Sequence, residues 1–319
     1  MGVTAAAQNL PVFRVGTRGS QLALTQTTTA ARAVAAAGRL EPELVTIRTE
    51  GDVLTGPLSQ MGGTGVFATA LRAALLAGSV DLAVHSLKDL PTAPVPGLEV
   101  AAVPVREDPR DALCARDGLT LAGLPAGARI GTGSPRRAAQ LRAARPDLEI
   151  VDIRGNVGTR LGRVAPGDLD AVVLAASGLR RLGLEDAITE LIDPSVMLPA
   201  PGQGALALEC RTEDASGDTA LAAGLAAVDD PGTRLAVTAE RALLTRLEAG
   251  CAAPVGTFGR IEDGELVLDV VVADPDGSRV MRRSGRAAEP DLDAARGLGA
   301  RLGDELLADG AGRLARLTL

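Results

Sequence analysis

Residues 12–38, "VFRVGTRGSQLALTQTTTAARAVAAAG", read as a strand, a Gly-Thr turn and a long helix, with Ser20 as N-cap and Gly38 as the stop. Residues 128–147, "ARIGTGSPRRAAQLRAARPD", repeat the plan. Arg129 and Ile130 close a strand, Gly131-Thr132-Gly133 turns, Ser134 caps and Pro135 takes the first helical position. The alignment of V-G-T-R-G-S with I-G-T-G-S makes these the matching first units of two α/β domains. The competing reading is a chance recurrence of short Gly/Ser turns. Two more apolar runs, "SVDLAVHS" and "DLDAVVLAAS", have the character of buried parallel strands. Ligand groups collect at the carboxyl ends of strands in open α/β sheets, and "GTRGS", "HSLKDLP", "GTGSPRR" and "SGLRR" all fall at that edge.

The last third changes character. "DDPGTRLAVTAERALLTRLEAG" reads as a helix starting at Asp230 or Thr233 and ending at Gly250. "PVGTFGRI", a turn at Asp263-Gly264, "ELVLDVVVA", a turn at "DPDG" and "SRVMRRSGRA" then form an antiparallel meander. A final helix runs from about Pro290 to Ala308. This is a separate α+β domain, and Cys251 stands between its first helix and first strand.

A chain of 319 residues has the length for two or three domains, and 46% hydrophobic with 23% charged residues is ordinary for a soluble globular protein. The opening "MGVTAAAQNLPVF" lacks the pattern of a signal peptide and no transmembrane run is evident, so the cytoplasm is the expected compartment, with no membrane partner. Rare residues exclude several mechanisms. The one lysine, Lys88, follows Leu87 and cannot belong to a P-loop. The one histidine, His85, rules out a multi-histidine metal centre, and no metal is expected. Cys114, Cys210 and Cys251 are scattered, with no CxxC pair and no disulfide framework. The absence of Trp and Tyr and a pI near 5.0 argue against a nucleic-acid partner. No extended apolar seam suggests assembly, so a monomer is expected.

Between Arg129 and Arg181 the chain has ten arginines against five acids, a net +5 inside a chain of −7. Those at turns, in "GSPRR", "IRGNVGTR" and "SGLRR", suit carboxylate or phosphate binding through a planar two-pronged fork. Arg136 and Arg137 also stand at a helix N-terminus, where backbone N–H groups favour anions. Arg142, Arg145 and Arg163 read as solvated. In "AVHSLKDLP", Asp89 is a carboxylate at a strand end facing arginine-rich turns, placed to stabilise a cation or transfer protons. His85 and Ser86, being adjacent on a strand, point to opposite faces and make no dyad. His85 reads as a satisfied structural side chain. Cys114 and Cys210 read as structural. Cys251 is open to two readings, an inert buried thiol or an exposed functional one.

The chain resembles the porphobilinogen deaminases (hydroxymethylbilane synthases) over nearly its full length. The resemblance rests on "RVGTRGSQLAL", "GGTGVF", "DLAVHSLKDLP", "REDPRDAL", "GTGSPRR", "RGNVGTRL", "LAASGLRRLGL", "LPAPGQGALALECR", "TAERALLTRLEAGC" and "APVG", in order. It implies two α/β domains like those of periplasmic binding proteins plus a smaller C-terminal α+β domain with a three-stranded antiparallel sheet. The implied division is 1–104 with 203–222, then 105–202 with the arginine-rich face, then 223–319 carrying the cofactor cysteine. It implies a transferase that polymerises four porphobilinogen molecules with loss of ammonia, on a dipyrromethane cofactor held by a thioether to Cys251, and releases hydroxymethylbilane by hydrolysis. Asp89 would be the catalytic carboxylate. Arg18, Ser20, Lys88, Arg136, Arg137, Arg154, Arg160 and Arg181 would hold the carboxylates of substrate and cofactor, with Ser86, Thr132, Ser134 and Gln203 as polar contacts. Gln60 and Thr64 stand in the "SQMGGTGVF" loop where many members have lysine, and Pro135 and Pro201 replace common apolar residues. A non-catalytic module for small polyanions, or an unrelated enzyme with a cysteine nucleophile, are the other readings. The resemblance predicts that peptide mapping finds the Cys251 peptide heavier by two linked pyrrole units. An unmodified Cys251 peptide in active protein rejects the attachment.

Overall fold

A computed structural model of the chain describes residues 10–47, 66–249 and 253–315. The chain first forms β1 (Val12–Thr17), α1 (Gln21–Gly38), β2 (Glu41–Thr46), α2 (Val66–Leu76), β3 (Leu82–Ser86) and β4 (Leu98–Ala102). It then builds β5 (Asp111–Ala115), β6 (Arg129–Gly131), α3 (Pro135–Ala144), β7 (Glu149–Val151), α4 (Val157–Leu161), β8 (Ala171–Ala175), α5 (Ala176–Arg181) and β9 (Glu190–Leu191). Next come β10 (Leu206–Arg211), α6 (Thr212–Ala215) and α7 (Ala220–Val228). The last part holds α8 (Pro231–Arg246), β11 (Val255–Glu262), β12 (Glu265–Ala273), β13 (Val280–Ala287), α9 (Leu292–Ala308) and α10 (Ala311–Leu314).

These strands make two five-stranded sheets, ordered β2-β1-β3-β10-β4 and β7-β6-β8-β5-β9, and one three-stranded sheet, β11-β12-β13. The two large sheets share a plan. In each, three parallel strands are followed by one antiparallel strand that arrives from the other sheet: β10 lies between β3 and β4, and β5 between β8 and β9. The expectation of parallel strands therefore needs correction. β3 and β8 are each parallel to one neighbour and antiparallel to the other. Their apolar runs record burial on both faces, which either direction of pairing satisfies.

The local turn chemistry follows the sequence closely. Ser20 Oγ accepts from Ala23 N at 3.3 Å, and Ser134 Oγ from Arg137 N at 3.5 Å. Asp230, rather than Thr233, caps α8, its carboxylate accepting from Thr233 N at 2.7 Å. The stop of α1 differs from expectation. The left-handed residue is Arg39 (φ 55°), and Gly38 remains helical. Gly38 answers to packing: a Cβ there would stand 2.4 Å from Ala220 O, where α7 crosses α1. α8 likewise stops at Arg246, short of Gly250. Gly250 and Cys251 lie outside the described residues, as does the "GGTG" loop at 62–65.

The third sheet is the expected meander, with β11 antiparallel to β12 and β12 to β13. Leu266, Leu268, Val270 and Val272 on one face of β12 pack against Leu243 of α8 and Leu298, Leu302 and Leu306 of α9. The other face is buried too: Val267 and Val271 are 1% and 0% exposed. There Thr257 N donates to Pro199 O at 2.9 Å, so the segment following β9 covers β11.

Two segments join the large sheets, one outbound after β4 and one returning before β10. They run against each other: Glu107 N donates to Gly204 O at 3.3 Å. Gly204 has φ +88°, and a Cβ on it would meet Glu107 O at 2.3 Å, so this crossing requires glycine. For the α1–α7 crossing, Gly38→Ala is expected to lower stability by about 1–3 kcal/mol, because the backbone clash outweighs the gain in helix propensity. A urea-unfolding midpoint equal to or above the parent's contradicts this packing.

Candidate functional site

The loops following β1, β3, β6, β7 and β8 carry the charged groups of the site, each at a strand's carboxyl end. After β3 a single 3₁₀ turn, Leu87–Asp89, is closed by Leu90 N donating to Leu87 O at 3.1 Å. Leu87 and Leu90 are buried anchors, so the turn presents Asp89 to solvent. Asp89 has no hydrogen bond or ion pair among the described residues, and both carboxylate oxygens are available. Beside it is a cavity of about 90 Å³ whose walls include Arg18, Ser20, Gln26, His85, Ser86 and Asp89. Ser86 Oγ donates to Gln26 Oε1 at 3.1 Å. The Nε2 of His85 lies 3.0 Å from buried Glu209 without forming an aligned hydrogen bond, and Glu209 accepts from Arg72 Nε at 3.0 Å. Burial opposes the charge on Glu209, but the His85 and Arg72 contacts outweigh it and hold the carboxyl below its usual range. His85 is thus built into the fold and forms no dyad with Ser86.

Across from this turn stands Asp111, the first residue of β5, with no solvent exposure. Arg136 NH1 donates to its Oδ2 at 2.7 Å, Arg137 Nε to its Oδ1 at 2.9 Å, and Gln203 Nε2 to Oδ1 at 2.8 Å. Burial works against the ionised carboxyl, yet the two arginines and these hydrogen bonds hold it far below the carboxylate range. Arg136 and Arg137 are 4% and 5% exposed, and they also donate to Leu198 O and Val173 O at 2.6 and 3.0 Å. Their first task is therefore internal. Arg136 Nε and Gln203 Oε1 remain buried without a hydrogen-bond partner. Thr132 Oγ1 accepts from Ser134 N at 3.2 Å and shapes the same turn.

Lys88 lies between the two halves. Desolvation pushes its ammonium down to about 8; Asp89 and Asp111 act to raise it, Arg137 and Arg136 to lower it. That coupling brings the turn after β3 and the N-terminus of α3 to one site. Arg160 extends the line: burial, then the charges of Arg137 and Arg154, depress it. Its Nε donates to Gly155 O at 2.8 Å, and Arg181 NH2 to Gly204 O at 2.6 Å. Neither forms an ion pair with a carboxylate among the described residues. Arg154 is exposed, with Asp152 3.7 Å away. Arg18 is half-buried at the mouth of the Asp89 cavity.

The other arginines are less solvated than expected, because acids and carbonyls hold them. Arg145 pairs with Asp147 and Arg163 with Asp168, both at 2.7 Å, and Arg142 NH1 donates to Pro275 O at 2.8 Å. Cys114 and Cys210 are buried, and desolvation pushes their thiols up to about 11 and about 12, so neither is a reactive thiol. Sequence reasoning passed over Asp111, Gln26 and Glu209. An aspartate heading the apolar strand "DALCA" was the available signal for Asp111. Among the described residues no group of acids, histidines and cysteines could hold a metal, and no helix is long and apolar enough to cross a membrane.

The assembled site joins the exposed Asp89 carboxylate and the Lys88 ammonium to the forks of Arg136 and Arg137, with Arg160 beside Arg137. It suits a ligand with several carboxylates on which positive charge develops. Comparison with known proteins bears on that chemistry. Residues 13–219 match the family model for the porphobilinogen deaminase dipyromethane cofactor binding domain, and 234–308 that for the porphobilinogen deaminase C-terminal domain. Similar curated proteins include the porphobilinogen deaminase of Leifsonia xyli, 60% identical, covering 96% of this chain and 94% of the relative. That of Micrococcus luteus is 61% identical, covering 85% and 81%. Among solved structures, the methionine-binding protein MetQ aligns with TM-score 0.41 at 12% identity, over 68% of this chain and 89% of its own.

Lys88 gives the site a pH signature. Its charge is present below about 8 and lost above it, so affinity for a polycarboxylate ligand should fall as pH rises through that value. The loss one unit above the pKa is up to about tenfold, and Lys88→Arg, charged throughout, should flatten the profile. A profile of KM or Kd against pH that is the same for both proteins rejects this role.

Proposed function

The chain belongs to the porphobilinogen deaminase family, and on that footing we propose a role for each side chain of the site. The enzyme is a transferase of tetrapyrrole (haem) biosynthesis: it joins four porphobilinogen molecules head to tail with loss of ammonia, and hydrolysis then releases hydroxymethylbilane. Its dipyrromethane cofactor, when bound, supplies the free pyrrole α-carbon to which the next unit is joined.

Each pyrrole unit carries two carboxylates. The donor set fits such a group: Arg160 and Arg181 have no carboxylate partner among the described residues, and Arg136 Nε is buried without an acceptor. Arg18, Lys88, Arg136, Arg137, Arg154, Arg160 and Arg181 hold carboxylates of substrate and cofactor, while Ser20, Ser86, Thr132, Ser134 and Gln203 orient them. Asp111 keeps Arg136 and Arg137 in place before any ligand arrives, so little reorganisation is needed on binding. Asp89 accepts hydrogen bonds from pyrrole N–H groups and balances the positive charge that develops as ammonia leaves. Cys251 is the attachment point.

We also propose the division into 1–104 with 203–222, 105–202 and 223–319; the pairing of β10 with β3 and β4 supports the return near 203, while α7, whose Leu225 packs in the first core, runs on past 222. We propose further that the protein acts as a cytoplasmic monomer without nucleic-acid or membrane partners; its acidic pI near 5.0 speaks against a nucleic-acid partner.

The observation that carries this assignment is Asp89, an available carboxylate held on a 3₁₀ turn beside Lys88 and sharing a cavity with Arg18. A module that only bound polyanions would gain nothing from a negative charge there. Asp89→Asn keeps the shape and removes the charge. It should lower kcat by about 100-fold or more while anion binding persists. An Asp89→Asn enzyme with parental kcat removes the role.

A further inference from the structure

The helix that leads into Cys251 also grips the turn that carries Asp89. Arg241, in α8, donates from NH1 to Leu90 O at 2.8 Å and from NH2 to Pro91 O at 2.7 Å. These are the two carbonyls immediately after Asp89. A planar guanidinium bonded to two successive carbonyls fixes their orientation as well as their distance, which a single point donor cannot do. Around it, Leu87, Leu90 and Val237 share one buried cluster, so α8 packs on the turn from behind.

This placement has a cost that ordinary packing does not explain. Arg241 has no carboxylate partner among the described residues, and burial together with the neighbouring charge of Arg72 disfavours its ionised form. An apolar side chain at this point of the cluster would avoid that penalty. What it could not supply is a fixed backbone direction on the C-terminal side of Asp89.

We propose that Arg241 is a positioning residue for Asp89, holding the catalytic turn in register with α8. The proposal rests on the role given to Asp89 above.

The test uses purified holoenzyme, its pyrrole load verified by intact mass. Arg241→Met should lower kcat about tenfold or more while KM for porphobilinogen stays within about twofold, since a misplaced Asp89 weakens transition-state contacts more than carboxylate binding. Arg241→Lys, which retains the charge but has a single donor nitrogen in place of the planar fork, should recover part of the loss. Val237→Ala loosens the same helix–turn packing without touching the two carbonyls, and should lower the melting temperature while leaving kcat near the parent value. A parental kcat in Arg241→Met, or an equal kcat loss in Val237→Ala, overturns the proposal. Should Arg241→Met not accumulate as holoenzyme, Arg241→Lys decides: a several-fold lower kcat at unchanged KM supports it, and an unchanged kcat overturns it. Asp89→Asn separates the two claims. An active Asp89→Asn enzyme removes the Asp89 role itself, whereas an inactive one beside a fully active Arg241→Met removes only the positioning role.

Discussion

Glu240 has no solvent exposure, and its carboxylate is the point at which the three sheets are joined. It accepts from Arg106 NH1 and NH2 at 2.8 and 3.2 Å, from Gly202 N at 2.6 Å and from Gly259 N at 2.7 Å. Arg106 belongs to the segment leaving the first sheet, Gly202 to the segment returning to it, and Gly259 to β11. Glu240 itself is on α8. Taking a carboxylate out of water costs several kcal/mol, and only a full set of donors offsets it. Here the set is complete only when both crossing segments and the third sheet are in place together. Arg106 closes the arrangement by donating from Nε to Gln203 O at 2.8 Å. The contact is therefore conditional on the whole architecture.

A second buried carboxylate, Asp111, obeys the same logic with a different result. Its single negative charge offsets one of the two positive charges of Arg136 and Arg137, so the positive excess of the middle segment is not spread evenly over its arginines. Arg129, Arg145, Arg163 and Arg180 are also paired with acids. The excess that remains falls on Arg160 and Arg181, which pair with no acid among the described residues, and on Arg154, whose contact with Asp152 is 3.7 Å long. A net charge read along the chain becomes a localised field only after the internal pairs are subtracted.

That subtraction marks the boundary of what the sequence discloses. The strand–turn–helix units, the serine caps and the three-stranded meander were legible because each depends on residues a few positions apart. The Asp263-Gly264 turn, with φ of 51° and 83°, is such a case. Strand direction was not legible in β3 or β8, since a buried run looks alike in either pairing. Gly38 misled for a related reason: its constraint comes from α7, far along the chain. Arg136 and Asp111 stand 25 positions apart, and Arg106 and Glu240 134 apart. No local pattern announces either pair. The site residues were visible instead through long motifs, which name side chains without saying which of them are already engaged.

The insertion of β10 between β3 and β4 has a consequence for how the molecule is made. Among the described residues β4 pairs with no other strand of its sheet, so it has no hydrogen-bonded neighbour there until β10 arrives. Every strand of the second sheet precedes β10 in the chain. On the ribosome, the second sheet can close while the first still waits with an open edge at β3. The domain begun first is thus the one completed later, and its exposed edge is a period of vulnerability to wrong pairing during synthesis.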